Sequence, residues 1–239
     1  MKLLTKGFYK LQQWIVKIIL LEESCVLCGV AADQQICQDC YQSLPHMLNK
    51  PYCPRCMLYL PPKELHCKNC QENNFYFDRI ISGFEYAFPL NRILHKLKYS
   101  NSLEYSHVLS QLFWNAISKR LHKLPDIIIP VPLHINKHKL RGFNHVNELI
   151  RELRHANPDS KILEIERIKE TKAQATLNRQ ERINNLADAF AINADLNDLS
   201  VAIIDDVVTT GSTVNELAKL CKQMGARQVE IWCLMRAQN

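Results

Sequence analysis

Eight cysteines crowd into residues 25–70 as four Cys-x-x-Cys units: Cys25/Cys28, Cys37/Cys40, Cys53/Cys56 and Cys67/Cys70. Each unit offers two thiolates to one metal ion, and two units complete the tetrahedral four-thiolate set of a structural zinc. Eight ligands therefore make two sites. A closed set leaves no open position for substrate, so these metals fold the segment rather than catalyse. Joining the first two units and the last two is the simplest pairing, and a crossed pairing uses the same ligands. Disulfides are the rival reading in an oxidising compartment, and iron–sulfur clusters are the rival among metals. His46 and His66 are surplus to a complete ligand set and read as ordinary surface residues, whereas Cys221 and Cys233 lie in apolar patterns and read as core.

A second constellation runs from Val201 to Met224. Val201–Ile204 reads as a buried strand with Asp205 and Asp206 at its end, followed by a loop holding Thr209, Thr210, Gly211, Ser212 and Thr213. Val214, Leu217, Cys221 and Met224 then form the apolar seam of a helix, and Gly225 stands where a C-terminal cap is wanted. Ligands of wound sheets gather at the carboxyl ends of strands, and a helix N-terminus attracts phosphate through its free N–H groups and its dipole. Small hydroxyl residues and Gly211 let the backbone approach a phosphate closely. The two carboxylates repel that anion but can accept hydrogen bonds from a vicinal diol on the same ligand. The segment reads as a site for a ribose bearing a terminal phosphate, with an acidic turn before a capped helix as the plainer alternative.

The elements that position this loop alternate. Ile80, Ser82, Phe84, Tyr86 and Phe88 share one face of a strand; Leu90–Leu97 and Val108–Ile117 carry helical spacing. Ile127–Ile129 is a continuous apolar run of the kind buried in a parallel sheet, ended by Pro130 and Pro132. Phe143, Val146, Ile150 and Leu153 trace one further helix. Strands follow at Ile162–Ile165, Ala189–Ile192 and Val229–Leu234, a wound α/β pattern. The change from paired cysteines to this alternation falls near residues 71–78, which divides the chain into 1–77 and 78–239.

The formal net charge of +6 favours anionic partners without choosing among them, and a hydrophobic content of 47% supports a packed core. The apolar run Ile18–Leu21 is too short for a secretory core, and Leu4, Phe8, Leu11, Ile15 and Ile18 instead mark an amphipathic helix packed on the protein. No stretch approaches the about 18 apolar residues of a membrane span, and a cytoplasmic location is expected. Arg92, His95, Lys96 and Lys98 beside Tyr99 make a basic cluster that single-stranded nucleic acid could use, although a solvated helix face has the same composition.

The Asp205–Thr213 segment resembles the signature of type I phosphoribosyltransferases, which bind phosphoribosyl pyrophosphate with Mg²⁺. The resemblance narrows with Pro130-Val131-Pro132-Leu133, Arg141-Gly142-Phe143-Asn144, Gln174, Leu177, Arg182 and the upstream cysteine pairs. Together these are similar to the ComF family of competence-associated proteins over nearly the whole chain. His145 stands where that family usually has Gln, and Ala173 where Pro is common. The resemblance implies a type I phosphoribosyltransferase-like, mostly parallel wound sheet preceded by a small double zinc-ribbon domain. It also implies a pyrophosphate loop containing Lys137, His138, Lys139 and Arg141, and a lid over Lys169–Asn185 with Arg179 and Arg182. Arg gives a bidentate fork to a diphosphate and Lys a point charge. In the resulting expectation Asp205, Asp206 and Arg141 serve catalysis or its remnant, with Lys139 and Thr209–Thr213 as further ligand contacts. The implied role is handling of internalised single-stranded DNA together with competence proteins. Phosphoribosyl transfer to an unidentified base or amine is the alternative, and no residue pattern names an acceptor pocket.

Overall fold

The computed structural model describes residues 24–47, 50–64, 67–99, 102–133, 143–167, 190–192 and 194–238. The expected amphipathic helix over residues 4–18, His66, the Lys137–Arg141 loop with Lys139, and the Lys169–Asn185 lid with Arg179 and Arg182 lie outside them. The chain falls into two compact units, Met1–Leu44 and Pro45–Asn239. This boundary falls between the two four-cysteine groups, so the second group lies in the same unit as the α/β body. Its physical reason is hydrogen bonding: the second group is tied to the α/β body, for example through the Ile80 amide donating to Arg55 O at 2.7 Å and Gln238 Nε2 donating to Met57 O at 3.0 Å.

In the first unit a tight turn follows Cys25, closed by the Gly29 amide on Cys25 O at 2.8 Å, with Gly29 at φ 76°. A short helix, α1 (Gln38–Gln42), carries Cys40. The second unit repeats the device. The Met57 amide bonds Cys53 O at 2.9 Å, and α2 (Lys68–Glu72) carries Cys70.

The α/β body begins with β1 (Arg79–Glu85), α3 (Leu90–Tyr99) and α4 (Glu104–Ser118). It continues through β2 (Ile127–Pro130), α5 (His145–Leu149), α6 (Arg151–Ala156) and β3 (Lys161–Ile162). A small antiparallel pair, β4 (Glu166–Arg167) and β5 (Phe190–Ala191), precedes β6 (Ser200–Val208), α7 (Ser212–Gln223) and β7 (Gln228–Arg236). The main sheet has the order β1-β7-β6-β2-β3, and every pairing in it is parallel.

Several elements differ from the sequence pattern for identifiable reasons. β1 is buried at Ile81 and Gly83 as well as at Ile80, Ser82 and Phe84, because a parallel sheet is covered on both faces. α4 lies so close there that a Cβ on Gly83 would stand 2.6 Å from Ala116 Cβ. The helix expected from Phe143 to Leu153 is two helices broken at Ile150. Ser110 of α4 enters the break, donating to Leu149 O and accepting from the Glu152 amide, both at 2.9 Å. β6 runs on through both aspartates to Val208, since β7 pairs with it as far as Val208↔Arg236. His46 is half-buried rather than a surface residue, its ring 4.9 Å from that of Phe84. Cys221 and Cys233 are fully buried in the core, as their pattern predicts.

Candidate functional site

Consecutive residues on an extended strand face opposite ways, and β6 applies that rule to its two acids. Val201, Ile203 and Asp205 share one side; Ala202, Ile204 and Asp206 share the other. The first side meets α7: Val201 and Ile203 join one core cluster with Val214, Leu217 and Cys221. The second side meets α3 and α5.

Asp205 therefore opens into a cavity of about 100 Å³ at the end of β6, lined also by Val207–Val214. Its Oδ1 accepts from the Asp206 amide at 2.9 Å. Thr210 and Ser212 pair through their hydroxyls at 2.9 Å across Gly211. Gly211 has φ 82°, a left-handed conformation that glycine adopts without strain, and it stands at the N-cap of α7 with no side chain to occupy the helix amides. The first turn of this 12-residue helix presents the positive end of its dipole beside small hydroxyls, and its Ser212 amide donates to Thr210 Oγ1 at 3.4 Å. Such a concavity can hold a phosphate, and Asp205 at its rim can accept a hydroxyl proton.

Asp206 departs from the expectation that both carboxylates face the sugar. It is 4% exposed and does not line the cavity. Its carboxylate forms ion pairs with Lys98 of α3 and His145 of α5. Burial on its own would raise the Asp206 pKa, but the Lys98 ammonium and the His145 imidazole outweigh it and hold the carboxyl well below its usual range. Asn144 sets His145 in place: its side chain accepts from the Val146 amide at 3.0 Å, capping α5, and donates to Val131 O at 3.3 Å. Lys98 thereby leaves the basic cluster read from the sequence. Lys96 instead stands 5.3 Å from the Tyr105 ring centre, and Tyr99 is exposed.

The eight cysteines assemble as sequential pairs. Cys25, Cys28, Cys37 and Cys40 form one group, and Cys53, Cys56, Cys67 and Cys70 the other, with all Sγ atoms of a group within 4.8 Å of one another. Sulfurs lie 3.7 Å apart for Cys28 and Cys37, 3.7 Å for Cys53 and Cys70, and 3.5 Å for Cys56 and Cys67. A tetrahedron with Zn–S bonds of about 2.3 Å has edges of about 3.8 Å, so both groups fit zinc. Burial raises the Cys25 pKa, but backbone N–H donors, from Cys37 first, more than offset this and bring it to about 6, which favours the metal-binding thiolate.

Sequence reasoning overlooked Arg236, at the end of β7. Its guanidinium is buried beside the cavity loop and donates to Val208 O at 2.9 Å and to Thr209 O. The available signal was a basic residue ending an otherwise apolar strand.

Comparison with known proteins agrees with this architecture. Residues 16–71 match the double zinc ribbon domain, and residues 139–239 match the phosphoribosyl transferase domain. The chain is 32% identical over 214 residues to Competence protein F of Haemophilus influenzae, an alignment covering 86% of this chain and 92% of that one. The chain belongs to the ComF family. Other ComF relatives include the DNA utilization protein YhgH of Escherichia coli O157:H7, 36% identical over 84% of this chain and 90% of its own. Competence protein ComFC of Streptococcus pneumoniae is 27% identical over 85% and 89% respectively. The ComF chain thus joins a phosphoribosyltransferase-type α/β body to paired zinc-ribbon-like four-cysteine groups. Among its described residues no helix is long and apolar enough to cross a membrane.

Proposed function

We propose that the Asp205–Thr213 corner binds phosphoribosyl pyrophosphate or a closely related ribose phosphate with Mg²⁺, and that the protein acts in natural competence by handling internalised single-stranded DNA. The observation that carries the ligand assignment is the cavity at the end of β6, where Thr209–Thr213 and the positive N-terminal end of α7 stand beside one inward carboxylate. The terminal phosphate takes the loop amides and hydroxyls. Asp205 accepts from a ribose hydroxyl. Asp206 holds Lys98 and His145 behind the strand end. Lys139 and Arg141 meet the diphosphate, whose charge Mg²⁺ partly neutralises. Both four-cysteine groups hold structural zinc. The biological role rests on the competence and DNA-utilization names of relatives that align over most of the chain.

Calorimetric titration of the zinc-loaded protein with phosphoribosyl pyrophosphate and Mg²⁺ tests the ligand. Saturable binding that Asp205→Asn removes, with zinc content unchanged, is expected; absence of binding by the wild type refutes the assignment. Adding a panel of bases and following pyrophosphate release separates binding from turnover. Single-stranded DNA affinity should fall steeply with salt, and a flat salt response counts against a phosphate-tracking DNA role.

A further inference from the structure

Arg236 is 2% exposed, and its side chain lies between two sites. On one side Nε donates to Cys56 O at 2.9 Å, within the second four-cysteine group. On the other, Nη1 donates to Val208 O at 2.9 Å, to Thr209 O, and to Ala237 O at 3.1 Å. These partners are carbonyl oxygens, which carry no full charge to balance a buried guanidinium. Four thiolates around a divalent zinc carry two net negative charges, so a metal-loaded second group supplies that balance locally.

The same bonds orient the ligand loop. In a trans peptide the C=O and the following N–H point in opposite directions. Holding Val208 O and Thr209 O toward Arg236 therefore turns the Thr209 and Thr210 amides away from it, and both residues line the cavity. Val208 O is fixed a second time by the Ala237 amide at 3.0 Å. The cysteine knuckle is fixed at two further points, with Gln238 Nε2 donating to Met57 O at 3.0 Å and Gln238 Oε1 accepting from the Tyr59 amide at 2.8 Å. The end of β7 and the residues after it thus touch both the knuckle and the loop.

We propose that Arg236 is a positioning residue that couples the second four-cysteine site to the phosphate loop, so that metal at Cys53, Cys56, Cys67 and Cys70 sets the loop's readiness for an anionic ligand. In its ligand arm this rests on the assignment of the loop to a ribose phosphate. Coupling between two equilibria is reciprocal: metal strengthens ligand binding by the factor by which ligand strengthens metal retention. Moving the guanidinium also removes a positive charge one peptide behind the cavity.

The test compares wild type, Arg236→Lys, Arg236→Met, and a Cys53→Ser/Cys70→Ser variant whose zinc count falls by one. Amide hydrogen exchange of residues 207–213 is read against that of α4, which makes no bond to Arg236. Exchange in the loop should quicken on the order of tenfold in the cysteine variant and in Arg236→Met, with α4 unchanged and Arg236→Lys between. In the wild type, phosphoribosyl pyrophosphate with Mg²⁺ should slow chelator-driven loss of one zinc by a similar factor, and Arg236→Met should abolish that protection while retaining both zincs at the start. Unchanged loop exchange in the cysteine variant overturns the coupling, and it does so even if Arg236→Met fails to fold. Ligand protection that survives in Arg236→Met overturns the role of Arg236. A wild type that binds no ribose phosphate but shows the exchange changes refutes the ligand assignment and leaves the coupling standing.

Discussion

Asp206→Asn removes one charge from a buried cluster and leaves the Lys98 ammonium beside His145 with no carboxylate partner. The Lys98 side chain is 19% exposed and that of His145 5%, so neither can recover hydration by a small movement. Breaking a buried ion pair from one side typically costs about 3–5 kcal/mol, because the remaining charge stays desolvated. At about 2–4 °C per kcal/mol for a domain of this size, Tm should fall by roughly 6–20 °C. Thermal unfolding followed by circular dichroism at pH 7 measures the shift. Lys98→Met in the same background should return part of the loss, since it deletes the stranded ammonium, and the two changes should be strongly non-additive. The pH dependence has a definite sign. The folded-state pKa of Asp206 is depressed, so its stabilisation is fully present above the unfolded value of about 3.9 and is lost as pH falls from there toward the folded value. Asp206→Asn should erase that portion of the acid limb. A Tm within about 2 °C of wild type, with an unaltered acid limb, refutes the buried-cluster reasoning.

Gly83→Ala places a methyl group 2.6 Å from Ala116 Cβ and should cost about 1–3 kcal/mol, read as a lower midpoint in urea; Gly83→Ala combined with Ala116→Gly should recover most of it. Gly211→Ala meets nothing closer than Val208 Cγ1 at 3.9 Å, so its cost is the left-handed backbone, about 1–2 kcal/mol, and Tm should fall by roughly 2–8 °C while ribose phosphate affinity drops about tenfold. The protein prepared without chelator should carry two zincs per chain by elemental analysis, and Cys67→Ser should carry one. Cys221 and Cys233 are fully buried with thiols pushed up to about 12, so neither should react with a thiol reagent at pH 8 until the chain unfolds.

Much of this architecture was legible because its signals are local. The Cys-x-x-Cys spacing, the apolar run of β2, the seam of α7 and the cap at Gly225, which has φ 92°, all lie within a few residues of one another. What escaped depends on contacts across the sheet. A strand drawn only to Ile204 leaves Asp205 and Asp206 as two turn residues with one shared task. Extended to Val208 by its pairing with β7, it gives them opposite faces and different partners. Lys98 and His145 are separated from Asp206 by many elements, so their convergence cannot be read from spacing, though period two together with a covered sheet would have asked for a buried cation. The break at Ile150 depends on Ser110, a serine that looks like any other polar position of α4. Arg236 was hidden by the convention that a charge at a strand end is solvated.

β7 sits between β1 and β6, and Arg79 pairs with Glu230 across 151 residues of chain. Until that late segment is available, β1 has no hydrogen-bonding neighbour in the main sheet, and its apolar residues on both sides must wait. Closure over so long a separation makes acquisition of the sheet slow, and it leaves a sticky ribbon exposed meanwhile. Pulse-labelled refolding should show the amides of residues 81–84, set apart from that of Ile80, which donates to Arg55 O, gaining protection in the same phase as those of 229–235; earlier protection of the former would mean that some other neighbour shelters them first.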